Sequence, residues 1–284
     1  TIGIEPTGAF KDAKKKGHKI YNRYFDLSAA KLITKEQKKI DIITFTNVFA
    51  HIENLQNLLT SLKKIISKDT LIIIENHYLG EVIKKNQFDT FYHEHPRTYS
   101  LRSFVNIANI LNVSVVDYKF VKRYNGNIRV YLRKFGKVLK SKNQLKDSLR
   151  FEKKNILEIK KFQKKVNIWK INKIKLFNKL IKHKGPLPAK AFPGRASILL
   201  RLLNLNNNYI TNIYEKNNSL KTNKYAPGTN IKIIKEKFLN NKERKKKVII
   251  NLAWHINKEI KVYLKKKLNY KGKIIDIISK SDFK

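Results

Sequence analysis

The sequence predicts an α/β protein of two domains joined by a helical connector, and three observations carry that prediction. Residues 1 to about 135 alternate short apolar runs with helix-like stretches, the pattern of a mostly parallel sheet covered by helices. Residues 142–182 contain neither glycine nor proline and repeat apolar residues at helical spacing. From residue 183 the alternation of strand and helix patterns resumes. A chain of 284 residues can bury one large core or two modest ones.

Taken in order, "TIGIEP" reads as a strand ending at Glu5-Pro6, and "GAFKDAKKKG" as a helix closed by Gly17. "HKIYNRYF" is the next strand and "LSAAKLITKEQKK" the next helix. "IDIITFTN" reads as a buried strand that runs into "VFAHIENLQNLLTSLKKII", where Leu55, Leu58, Leu59, Leu62, Ile65 and Ile66 keep helical spacing. "TLIIIENHY" is a further buried strand. A helix near "SLRSFVNIANIL" follows, then the strands "SVVDYKFVKRY" and "NIRVYLRKF", with Asn125-Gly126 between them as a hairpin turn. The connector carries Leu145, Leu149, Ile156, Ile159, Phe162, Val166, Trp169, Ile174, Phe177 and Ile181 on its apolar positions and stops at Gly185-Pro186. No strict heptad is sustained, so a coiled coil is the weaker alternative. Beyond it, "GPLPAKAFPGRASILLRLLNLN" is a loop and then a helix, and "YITNIYEKN" a strand. "KYAPGTNIKI" is a turn into a strand, "VIINLAWHINKEIKVYLKKKL" a strand and helix, and "KGKIIDII" a last strand. The expected boundaries are 1–141, 142–182 and 183–284.

Composition narrows the function classes. Apolar residues make up 42% and no apolar run approaches the ~20 residues of a membrane span. Cysteine is absent, which excludes disulfides, thiolate nucleophiles and cysteine-ligated zinc within these residues. That fits a reducing compartment, and a cytoplasmic location is expected. Methionine is absent too, and a chain opening inside a strand is expected to be a fragment. Lys and Arg number 63 against 21 Asp and Glu, a net +42. An anionic partner or compositional drift could each contribute. The lysines are scattered rather than gathered in a stripe, so non-specific polyanion binding is expected in place of a dedicated nucleic-acid face.

Several clusters carry candidate chemistry. Glu5, at a strand end, stands where a carboxylate can accept from a ribose diol. Asn47 and His51 lie at a strand's C-terminal edge, where open α/β sheets bind ligands, although Asn47 could equally cap the next helix. "FYHEHPRTYS" sets Tyr92, His93, Glu94 and His95 together. A metal site would need further ligands at a spacing that is absent. An imidazole at ~pKa 6.5 can take a proton, with a carboxylate or phenol orienting it, and a tyrosine hydroxyl can stabilise an enolate. A polar loop is the third alternative. Gly194 and Arg195 open a helix whose N-terminus could hold an anion or simply begin the helix.

These segments together resemble the S-adenosylmethionine-dependent C-methyltransferases that act on nucleotide-linked keto-sugars. The resemblance is carried by "GIEPTGAFKDAKKKG", "DIITFTNVFAHIENLQNLL", "IIIENHYLGEVIKKNQFDTFYHEHPRTYS", "RYNGNIRVYLRK", "PLPAKAFPGRASILLRLLNLN", "KYAPGTNIKI" and "VIINLAWHINKEI". It implies a Rossmann-like methyltransferase domain, a helical connector and a second, smaller α/β domain. The family's N-terminal zinc domain and the glycine-rich cofactor loop have no counterpart in these residues. The resemblance also implies roles. Glu5 would hold the cofactor ribose, Asn47 would line the cofactor's methionine end, and His51 and Arg195 would contact a nucleotide-sugar substrate. His95 would be the base, with Tyr92 and Glu94 positioning it or the enolate, and no metal taking part. His93 stands where the family usually has an acidic residue, and "AFPGRAS" departs from its usual phrase. Methylation of another position or acceptor, a non-catalytic polyanion binder and an inactive fragment are the rival expectations.

Overall fold

The computed structural model describes residues 1–123, 126–134, 142–240 and 247–283. They belong to two compact units, Thr1–Val82 with His93–Ile156 and Ile83–Tyr92 with Leu157–Lys284. The segment 83–92 therefore belongs with residues that lie far along the chain.

In the first unit, β1 (Ile2–Ile4) and β2 (Lys19–Tyr21) form a parallel pair joined through α1 (Phe10–Lys15). Gly17, at φ 82°, makes the left-handed turn out of α1 that glycine adopts without strain. The helix α2 (Leu27–Glu36) starts at Asp26, whose carboxylate accepts the Ala29 N–H at 2.7 Å. A second sheet has the order β3-β4-β6-β5, from β3 (Ile42–Thr46), β4 (Leu71–His77), β5 (Ser114–Val121) and β6 (Asn127–Arg133). Only the β3–β4 pair is parallel; β4–β6 and β5–β6 are antiparallel. The sheets of this unit are thus less uniformly parallel than expected. Asn125 of the expected hairpin turn lies outside the described residues.

The crossover from β3 to β4 is α3 (Leu55–Ile65), begun by Asn54, whose side chain accepts the Asn57 N–H at 2.9 Å. Its leucine spacing puts Leu58, Leu59 and Leu62 into the core at 2% exposure or less, each stabilising the fold by roughly 1.5–3 kcal/mol. After the short α4 (Leu79–Lys84), the helix α5 (Leu101–Ile110) opens with Ser100 and Ser103 capping each other's N–H groups. Glu152 of α6 (Lys142–Leu157) adds a carboxylate there, accepting the Leu101 and Arg102 N–H groups at 2.6 and 3.0 Å. A buried carboxylate on the positive end of a helix is well placed electrostatically.

Expectation and structure part in three places. β3 is expected to be buried, yet Ile42 is 58% exposed, Thr44 and Thr46 are exposed with it, and Ile43 and Phe45 are only half-buried. It pairs with β4 alone among the described residues, and an edge strand keeps only part of its surface from water. The connector is two helices, α6 in the first unit and α7 (Ile159–Lys184) in the second, separated at Glu158. The third difference is β7 (Leu187–Lys190), within the stretch expected to be a loop.

The second unit holds an all-parallel sheet of order β11-β10-β7-β8-β9. Its other strands are β8 (Ile210–Glu215), β9 (Lys232–Lys235), β10 (Ile249–Asn251) and β11 (Ile274–Asp276). The overlooked β7 is the central strand. Pro188 argues against such a strand because it has no N–H for the ladder. The structure accommodates it with a register shift between Leu187 and Ala189 against β8, and β10 pairs only with Ala189 and Lys190. The helices α7, α8 (Ala196–Leu202) and α9 (Asn257–Lys266) accompany this sheet. On α7, Phe162, Trp169 and Phe177 are buried, and the Trp169 indole N–H donates to the Ile277 carbonyl at 3.3 Å. Among the described residues, no helix is long and apolar enough to cross a membrane.

Candidate active site

The C-terminal ends of β3 and β4 deliver Asn47 and His77 to one edge of the first unit, the edge at which open α/β sheets bind ligands. After Asn47 the chain makes a tight turn at Phe49–His51 before α3 begins, so His51 sits on a loop rather than on the helix. The His51 ring meets His95 edge-on, with centroids 4.7 Å apart at 65°. His77 is 5.6 Å from the same His95 ring. Arg97, two residues further on, donates through Nη1 to the carbonyls of Ile52 and Glu53 at 2.7 and 2.8 Å. One arginine therefore ties the His95 segment to the His51 loop.

Aromatic packing supports this arrangement from below. Phe49, adjacent in the turn, lies 5.3 Å from Tyr99 and 5.4 Å from Phe45, and Tyr99 stacks on Phe104 at 5.2 Å. Burial pushes the Tyr99 phenol up to about 12, so it stays neutral at ordinary pH. Its place is in the core.

A polar network lies beside them. Asn127 at the start of β6 donates from its amide nitrogen to Asn47 Oδ1 at 2.9 Å and to Glu75 Oε1 at 3.1 Å. Arg129 donates to Glu75 Oε2 through Nε at 2.8 Å and pairs with it through Nη2 at 2.7 Å. Glu75 and Asn127 are 2% and 0% exposed, and such a buried charge requires a partner of this kind. Asn47 has φ 55°, a left-handed conformation that asparagine tolerates, and its N–H donates to the Glu75 carbonyl at 2.8 Å. The capping alternative for Asn47 does not apply, since Asn54 caps α3.

The remaining expected residues are placed as follows. Glu5 leaves β1 with its carboxylate accepting the Thr7 N–H and hydroxyl at 2.8 and 2.6 Å. Glu94 is exposed, with His93 3.9 Å from it, and Tyr92 is half-buried at the end of the segment assigned to the second unit. Arg195, in the second unit, grips Asp89 of that unit through Nε and Nη2, both at 2.7 Å, and reaches Thr90 Oγ1 at 2.9 Å. The Trp254 indole N–H donates to the same carboxylate at 2.7 Å. No acceptor meets Arg195 Nη1 among the described residues. Among them, no three His, Asp or Glu side chains are grouped so as to hold a metal ion.

Sequence reasoning brought forward His51, His95 and Asn47 but missed His77, Glu75, Asn127 and Arg129. His77 and Glu75 were within reach, because the strand-edge rule applied to Asn47 fits the end of "IIIENH" equally well. Asn127 and Arg129 gave no signal, since their register against β4 is a tertiary fact.

Residues 2–117 match the family model "Methyltransferase domain", which sets this α/β fold among the methyltransferases. Residues 123–278, more than half of the chain, match the model "C-methyltransferase C-terminal domain". The chain belongs to the C-methyltransferase family. Among curated proteins it is similar to C-methyltransferase NovU of Streptomyces niveus, 35% identical over 83 residues. That alignment covers 29% of this chain and spans 20% of the relative's length.

Proposed function

We propose that these residues form the methyltransferase and C-terminal parts of a cytoplasmic, S-adenosylmethionine-dependent enzyme that methylates carbon next to the ketone of a nucleotide-linked keto-deoxysugar. The single observation that carries the reading is the packing of His95 against His51, pinned by Arg97, at the ligand edge of β3 and β4. A titratable ring held in a fixed pose is what proton transfer from carbon requires.

The available groups suit the methyl donor. Glu5 is a half-buried carboxylate at a strand end for a ribose diol, and Asn47 offers an amide at the sheet edge for the amino-acid end. When bound, the cofactor supplies an electrophilic methyl group on a sulfonium. A ring nitrogen of His95 takes the proton from the carbon beside the ketone, and the C–H electron pair becomes an enolate. Tyr92 and Glu94 orient that enolate or the imidazole. The cofactor, held by Glu5 and Asn47, would supply its sulfonium methyl group to that carbon and leave as a thioether, while His95 keeps the abstracted proton. His51 lines the substrate side in the first unit; Arg195, within the second, keeps Nη1 donors that its pairing with Asp89 leaves over for an anionic group of the nucleotide sugar. The product would serve a surface polysaccharide or another glycosylated compound. The +42 charge supports weak, non-specific attraction of polyanions besides.

The test uses a panel of nucleoside-diphosphate keto-deoxyhexoses in deuterated water with S-adenosylhomocysteine present. Deuterium should enter next to the ketone, and His95→Gln should slow that exchange by roughly 10²–10⁴-fold. Methyl transfer to a hydroxyl without exchange at carbon would overturn the reading.

A further inference from the structure

An asparagine side chain can present either its oxygen or its nitrogen, and the surroundings of Asn47 permit one choice. Arg129 can only donate, and ionised Glu75 can only accept. The face of Asn127 turned toward Glu75 must therefore be its NH2. That same NH2 faces Asn47, so Asn47 must answer with Oδ1. Asn47's own NH2 is then turned away from the network, on a half-buried residue at the ligand edge. The other end of Asn127, Oδ1, is buried and meets no donor among the described residues. The amide is thus held by what its nitrogen does.

From this chain of donors and acceptors we infer that Asn127, set by Glu75 and Arg129, is a positioning residue that commits Asn47 to donate to an acceptor oxygen of the bound ligand. In the proposed function, on which this rests, that oxygen is the carboxylate at the amino-acid end of the cofactor. Glu75→Gln removes the polarity. The substituted amide can offer its oxygen to Arg129 and its NH2 to Asn127, which turns the Asn127 Oδ1 inward; Asn47 then donates into the network and faces the ligand with oxygen.

Calorimetric titration of this chain with S-adenosylhomocysteine and with its decarboxylated analogue separates the outcomes. Glu75→Gln should weaken S-adenosylhomocysteine about tenfold, the scale of one lost charge-assisted hydrogen bond, and leave the decarboxylated analogue unchanged. Asn127→Ala frees Asn47 to rotate and should give a smaller loss with the same selectivity. It carries the test if Glu75→Gln fails to fold. Equal weakening of both ligands would mean a purely structural role and overturn the relay, as would no change in either. Wild-type protein that binds neither ligand would sink the cofactor reading and the relay with it.

Discussion

His255 shows how one residue's surroundings become a property of the whole. It follows Trp254 in the Asp89–Arg195 cluster, and its Nδ1 is buried with no hydrogen-bond partner among the described residues. Burial lowers its pKa below the ordinary 6.5, the Arg195 charge lowers it further, and Asp89 and Glu259 pull the other way. The folded protein therefore binds this proton less readily than the unfolded chain. Between the lowered value and 6.5 the unfolded state holds more protons, so stability rises with pH through that window and falls on acidification. The melting temperature should drop between about pH 7 and about pH 5, and His255→Leu should flatten part of that slope. An unchanged slope in the variant would show that His255 titrates alike in both states. Neither the burial nor the facing charges were legible from "LAWHIN", because Asp89 and Arg195 are brought there by tertiary contacts.

At the level of elements, the sequence disclosed what period and punctuation can encode. Apolar spacing located α3 and α5, and Gly17 and Gly185 marked the ends of α1 and α7. What depends on partners stayed hidden. The central β7 went unseen: it is four residues long, and the register shift that accommodates Pro188 against β8 is a pairing no single strand reveals. The guanidinium of Arg195 holds the segment 88–90, which precedes Tyr92, to the start of α8, a contact that no local pattern announces. Asp89 is fully buried, so removing its cation strands a charge that, among the described side chains, only the Trp254 N–H still answers. Arg195→Ala should cost about 3–5 kcal/mol in urea unfolding, and Arg195→Lys should recover only part of that, since an ammonium cannot make the bidentate fork. A loss below ~1 kcal/mol would mean that water reaches Asp89 readily.

For the molecule as a whole, the net +42 is concentrated outward by where the acids go. Among the described residues, Glu75, Asp89, Asp117, Glu152, Glu236 and Asp276 are buried, where they answer arginines, lysines and backbone N–H groups. Only Lys173 and Lys190 are buried among the lysines described. The surface therefore has few carboxylates left to offset its cations. Because those cations are distributed along the chain, attraction to a polyanion should come from released counterions rather than from a fitted face. Each neutralised phosphate contributes about −0.9 to the slope of log K against log salt, so a footprint of ~6–10 phosphates would lose roughly 10³–10⁵ in affinity between ~50 and ~200 mM salt. Fluorescence anisotropy with two duplexes of unrelated sequence should show equal binding that vanishes together over that range. S-adenosylhomocysteine binding should change far less, because close contacts within a folded site are screened less than exposed charges. A preference for one duplex that persists at ~200 mM salt would instead mean that some of these lysines are organised to read nucleic acid.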